Sequence, residues 1–149
     1  MFFLKELPSR QMVDGYADQF ADVDVDVDRV LDALRLMRRA SLLIRELEAY
    51  FARHDLSQLR FLMMILIDRE PERNCLAASE IAERLDVSRP VVTRTLQGLE
   101  RAGLIAISEN SEDARSRNVT LTTAGKAKLD EVLPGYFAIL HRPDPAADK

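Results

Sequence analysis

The sequence predicts a mainly helical α+β fold organised around a helix-turn-helix, and three observations carry that prediction. Two short amphipathic helices are joined by only three residues between Ser79 and Leu104. Long stretches on either side repeat apolar residues every three or four positions, the period of a helix with one buried face. Just after the second short helix, a glycine is followed by the β-forming run Leu104 to Ile107, which a second run, Val119 to Thr122, can pair with as a hairpin.

At 149 residues and 47% hydrophobic content, the chain has the size and apolar content of one ordinary domain. Its net charge of -4 does not favour general binding to a polyanion, so any nucleic-acid contact must come from cations concentrated locally. The single cysteine, Cys75, forms no disulfide within the chain, and two distant histidines form no metal-ligand cluster. The apolar run FLMMILI, Phe61 to Ile67, is too short to span a bilayer, and no signal-peptide pattern opens the chain. These features predict a cytoplasmic protein with no cofactor, metal or membrane partner.

In chain order, Ser9 to Phe20 places Met12, Val13, Tyr16 and Phe20 on one side of a short helix that must dock on its own chain or on a partner copy. DVDVDVD, Asp22 to Asp28, imitates a strand or a calcium loop. The calcium pattern fails, because Val27 stands where the sharp turn needs glycine and Ala33 where a bidentate glutamate is required. The run is instead expected to be a loop whose last acids cap the next helix. That helix runs from about Asp26 to His54, with Val30, Leu34, Met37, Ile44, Leu47 and Phe51 along its stripe. It would be roughly 40 Å long, more apolar face than one small domain covers, so part of it is expected to meet another subunit. Ser57 reads as the cap of a buried helix through Ile67, followed by a polar loop, Asp68 to Asn74.

In the helix-turn-helix, Ile81, Ala82 and Leu85 share one face of the first helix, and Val92, Leu96 and Leu99 share one face of the second. Asp86, Val87 and Ser88 form the turn, with the Ser88 hydroxyl expected to cap the second helix and Pro90 in its first turn. Outward on that helix lie Pro90, Thr93, Arg94 and Gln97, with Arg89 beside them. A solvated polar face would account for them individually. Together they are the side chains that read base edges from a major groove: arginine pairs with guanine, glutamine with adenine, and a threonine methyl meets a thymine methyl.

Gly103 ends the helix and the hairpin follows, its tip SENSEDARSRN placing Arg115 and Arg117 where a narrow minor groove attracts cations. A last helix begins near Thr122 or Thr123 and carries Leu129, Val132, Leu133, Tyr136, Phe137 and Leu140 on one face, with a bend expected at Pro134. HRPDPAADK reads as a frayed tail.

This order of elements resembles the MarR family of bacterial regulators, from about Val30 to Leu140. The resemblance is carried by SEIAERLDVSRPVVTRTLQGLERAGLI, by Asp113-Ala114-Arg115, which fits the family's Asp-x-Arg, and by Leu121-Thr122-Thr123-Ala124-Gly125, which fits its Leu-Thr-x-x-Gly. It implies a winged helix-turn-helix with long flanking dimerisation helices, acting as a homodimer on an inverted repeat in double-stranded DNA. It also implies a repressor relieved by a small aromatic or phenolic ligand, or by thiol oxidation. By position, Ser88, Arg89, Pro90, Thr93, Arg94 and Gln97 belong to the recognition surface, Arg115 is the wing arginine, and Asp113 is the acid that orients it.

The implied layout is an N-terminal extension in the dimer interface (1–27), a long dimerisation helix (28–56), the winged helix-turn-helix (57–125), a C-terminal dimerisation helix (126–141) and a disordered tail (142–149). The family often has arginines where this chain has Ala106, Ile107 and Ser108, and another where it has Ala114, so weaker and strongly salt-dependent DNA binding is expected. Its usual turn glycine is Asp86 here, which tolerates a left-handed backbone. The family commonly adds a dimerisation helix beyond the one ending near Leu140, and Met12 to Phe20 is expected to compensate.

For a ligand, Tyr50, Arg53, His54 and Tyr136 offer aromatic walls and a cation, although each also fits a core stripe or a helix end. Cys75 lies just before the helix-turn-helix and reads as a small apolar residue more readily than as a sensor. His54, Asp55 and Ser57 are the residue types of a hydrolytic triad but crowd one helix end without a nucleophile turn, so no enzyme is predicted. The alternative function is a winged-helix module or antirepressor that binds protein instead of DNA.

Overall fold

The computed structural model describes residues 2–19, 24–70, 75–109 and 117–142, which fall in two compact units divided between Glu46 and Leu47. In the first unit, α1 (Arg10–Ala17) starts at Ser9, whose hydroxyl accepts from the Met12 N–H. Its stripe residues Met12 and Tyr16 are exposed, and Phe20 lies outside the described residues. Helix α2 (Val27–Ala52) begins as the acidic run predicted, with the Asp26 carboxylate accepting from the Arg29 N–H at 3.2 Å. Asp28 is paired with Arg10, which lowers the pKa of the acid and raises that of the base, chiefly through the hydrogen bond between them. Asp22 and Val23 lie outside the described residues.

Residues 2–4 are docked on their own α2: Arg45 donates to the Phe2 carbonyl at 2.6 Å and Arg38 to that of Leu4 at 2.5 Å. Leu36, Met37, Leu42, Leu43 and Ile44 are nonetheless exposed on α2, Leu36 by 65%.

The second unit opens with the end of α2. Two bonds close it, Leu56 N–H to the Phe51 carbonyl at 3.0 Å and Asp55 N–H to Ala52 at 3.3 Å. This pattern needs a left-handed residue, which Asp55 supplies with φ 55°. Helix α3 (Gln58–Asp68) is capped by Ser57, as the sequence predicts, and buries Phe61, Met63, Met64 and Ile67. A two-residue strand, β1 (Leu76–Ala77), precedes α4 (Ala78–Glu83) and α5 (Arg89–Arg101). The hairpin β2 (Ile105–Glu109) and β3 (Arg117–Leu121) leads into α6 (Thr123–Leu140), which runs through Pro134 without interruption. The sheet is antiparallel in the order β1-β3-β2, with Leu76 opposite Val119 and Ile107 opposite Val119 from the other side.

One core joins these elements. Phe51 and Phe61 stack with centroids 4.7 Å apart, Tyr136 lies 4.8 Å from Phe61, and Ile81, Val92, Leu96, Leu99, Ile105, Val119, Leu129 and Val132 surround them.

Several local expectations are corrected. The first helix of the pair ends at Glu83, short of Leu85, because Leu85 and Val87 both pack on the core and residues two apart cannot share one helical face. Asp86 is not left-handed, since Asp55 is the one non-glycine with positive φ among the described residues. Ser88 occupies the N-cap position of α5, but its hydroxyl caps nothing. The amides it would serve are those of Pro90, which has no N–H, and Val91, whose N–H goes to the Ser88 carbonyl at 3.0 Å. Beyond the predicted loop, and before the helix pair, Leu76–Ala77 form β1, a strand too short to leave a period in the sequence. Arg117 starts β3 opposite Glu109 and is not part of a loop tip.

Candidate nucleic-acid interface

The two faces of α5 are as distinct as its spacing predicts. Val92, Leu96, Gly98 and Leu99 are buried, while Arg89, Pro90, Thr93, Arg94 and Gln97 are exposed. Among the described residues, the side chains of Arg89, Thr93, Arg94 and Gln97 engage no hydrogen-bond or ionic partner, so their donors and acceptors point to solvent. Arg101 continues this face one turn further, its Nε donating to the Gln97 carbonyl at 3.3 Å. The i, i+4 step from Gln97 would have found it.

The helix is held at its C-terminus by a tight network. Gly103, at φ 71°, ends it with two bonds, Leu104 N–H to Leu99 at 3.0 Å and Gly103 N–H to Glu100 at 2.8 Å. The segment Leu121-Thr122-Thr123-Ala124-Gly125 then clasps this turn. The Thr122 hydroxyl donates to the Gly103 carbonyl at 2.6 Å and accepts from the Gly125 N–H at 3.0 Å, and the Thr122 N–H donates to Leu104 at 3.1 Å. Gly125 is required because a Cβ there would lie 1.9 Å from the Leu104 carbonyl oxygen. The start of α6, the end of α5 and the root of the hairpin are thereby one rigid joint.

Of the other candidate residues, Arg117 is exposed at the start of β3, and Asp113 and Arg115 lie outside the described residues. A further cation comes from α3: the half-buried Arg60 lies against Gly98, where a Cβ would be 2.8 Å from its Nη2. This approach joins residues 38 positions apart, and the sequence carries no signal of it.

The four candidate ligand residues have structural partners. Tyr50 is buried and its hydroxyl donates to the Val132 carbonyl at 2.9 Å. The Arg53 guanidinium stands 5.6 Å over the Tyr50 ring, exposed on its other side. His54 Nδ1 meets Glu131 at 2.8 Å, and Lys128 meets the other carboxylate oxygen at 2.9 Å. These two hydrogen bonds, that of Lys128 first, hold the Glu131 pKa below the ordinary glutamate value. Tyr136 packs between Phe61 and Phe137. A shallow groove of about 380 Å³, lined by Leu121, Thr122, Thr123, Lys126, Ala127 and Asp130, involves none of the four. Cys75 is half-buried beside β1.

The MarR family model matches residues 54–116, from the turn after α2 to beyond the end of β2. The likeness extends much further in one relative, the HTH-type transcriptional repressor YetL of Bacillus subtilis, which is 33% identical over 137 residues, 91% of this chain and 79% of its own. The chain belongs to the MarR family of transcriptional regulators. Among solved structures, the MarR family regulator Sco3205 of Streptomyces coelicolor, in complex with DNA, shares the fold at a TM-score of 0.75 and 19% identity, covering 85% of this chain and 82% of its own. The M. tuberculosis transcriptional regulator MOSR, also in complex with DNA, is 25% identical at a TM-score of 0.59, over 72% and 76%. The matched family is one of transcriptional regulators and YetL is named a transcriptional repressor, so the chain is a transcriptional regulator and not an enzyme. In this MarR chain α4 and α5 are the helix-turn-helix, and β2 and β3 are the wing.

Proposed function

We propose that the protein is a homodimeric, sequence-specific repressor that lays α5 of each subunit in a major groove of an inverted repeat. The observation that carries this reading is the outward face of α5, where Thr93, Arg94 and Gln97 stand exposed and without protein partners. Ser88, Arg89 and Pro90 would meet the groove at the helix start, and the wing, with Arg117 and with Arg115 oriented by Asp113, would reach the flanking minor groove. Two relatives of the same fold were solved on DNA, which supports the same use of this one.

Pairing is supported by the apolar side chains exposed on α1 and α2, among them Met12, Tyr16, Leu36, Met37 and Ile44. The extension 1–27 and the helices within 28–56 and 126–141 would form the dimer interface, leaving 57–125 for DNA. Repression would be relieved by a small aromatic or phenolic ligand read near Tyr50, Arg53, His54 and Tyr136, where the exposed Arg53 guanidinium offers a partner for an acidic group.

Selection from a random duplex library at moderate salt tests the reading. An inverted repeat with half-sites about 10 base pairs apart is expected, and Arg94→Ala should weaken binding by about 1–3 kcal/mol and relax base preference. Failure to enrich any duplex, even at low salt, would overturn DNA binding in favour of a protein partner.

A further inference from the structure

Arg60 has an unusual position for a structural arginine. It projects from the first turn of α3, is half-buried, and carries five N–H donors, yet among the described residues its guanidinium forms no hydrogen bond or ion pair. A half-buried cation without a protein partner is less favourable than a paired one, and an arginine kept only for structure ordinarily sits on a carboxylate or a carbonyl. Here it rests on the bare backbone of Gly98, with Nη2, Cζ and Nε at 2.8, 3.5 and 3.7 Å from where a Cβ would be. A side chain at position 98 would have to move the guanidinium.

The place is informative because of what borders it. At 3.6 residues per turn, Gly98 lies about 40° further round α5 than Arg94, at the edge of the outward face. A helix about 10–12 Å across nearly fills a major groove about 12 Å wide, so its edges face the phosphates on the groove walls. We infer that Arg60 is a DNA-phosphate anchor, held by α3 against the edge of α5 through the gap that Gly98 leaves. This inference rests on α5 being the helix that enters the groove. A cation delivered from a second helix fixes the depth and tilt of α5 without occupying a position on α5 that could read a base.

The test is the salt dependence of binding by full-length Arg60→Gln, measured on the duplex enriched from the random library and on a shuffled duplex. A phosphate anchor predicts that the slope of log K against log[salt] becomes shallower by about 0.9 per bound subunit. It also predicts that affinity drops by a similar factor on both duplexes and that base preference is kept. Arg60→Met, which retains the apolar stem over Gly98, should behave in the same way and serves if the glutamine variant folds poorly. An unchanged slope in both variants, or relaxed base preference with the slope intact, would show that Arg60 only orients α5 and would overturn the inference. If wild type binds and depends on Arg94 while the Arg60 variants keep its slope, this inference alone fails. If wild type binds neither duplex at any salt, the inference falls together with the DNA-binding function.

Discussion

Replacing Gly125 by alanine should break the joint between α5, the wing and α6. The new Cβ would stand 1.9 Å from the Leu104 carbonyl oxygen, 2.9 Å from its carbon and 3.2 Å from the Leu121 side chain. Ordinary contact begins at 3.4 Å, so the backbone of α6 must retreat by about 1.5 Å, and backbone cannot turn aside as a side-chain tip can. That retreat strains the bonds from the Thr122 N–H to Leu104 at 3.1 Å and from the Thr122 hydroxyl to Gly103 at 2.6 Å. Two hydrogen bonds at about 0.5–1.5 kcal/mol each and overpacking at about 1–3 kcal/mol are offset by up to about 1 kcal/mol of helix propensity. At the central values the net loss is about 3 kcal/mol, a fall in Tm of roughly 6–12 °C for a chain of this size. Thermal unfolding followed by circular dichroism measures it, at one protein concentration because association would itself move Tm. Gly15→Ala is the control: nothing lies within 4 Å of its Cβ, so Tm should hold or rise slightly. A Gly125→Ala protein melting within about 2 °C of wild type would refute the close-approach argument.

Ser57→Ala should cost about 1 kcal/mol by removing the cap on α3, read as a lower denaturation midpoint with unchanged m. Tyr50→Phe removes the hydroxyl that serves the Val132 carbonyl and should cost about 1 kcal/mol in the same assay; a neutral result would mean that solvent reaches that carbonyl. Glu131→Gln tests the contact with Lys128 and His54. Because the folded pKa of Glu131 is lowered, its stabilisation is present above the unfolded value and is lost as pH falls through the folded one. The variant should therefore melt below wild type near neutral pH, with the gap closing below about pH 4. A gap of equal size in acid would assign the effect to packing.

Much of this regulator was legible in its sequence because its signals are local. The period of Val92, Leu96 and Leu99 determined which face of α5 is buried, and therefore which residues are left outward. Ser57 and Thr122 marked two helix starts, and Gly103 marked a helix end, because caps act within a few residues of themselves. Where sequence reasoning failed locally, a neighbouring constraint prevailed. The Ser88 hydroxyl caps nothing because Pro90 removes one of its amides, and α4 stops early so that Leu85 and Val87 can both reach the core.

The tertiary structure alone decided everything that depends on pairs distant in the chain. It gave Leu76–Ala77 a place as a third strand beside β3, engaged Tyr50 and His54 with α6, seated Gly125 on the Leu104 carbonyl, and brought Arg60 to the edge of α5. Periodicity and capping act within one turn of backbone, so a sequence determines them wherever it folds. The approach of one element to another is set by the packing of the whole core, and no short stretch of sequence contains it.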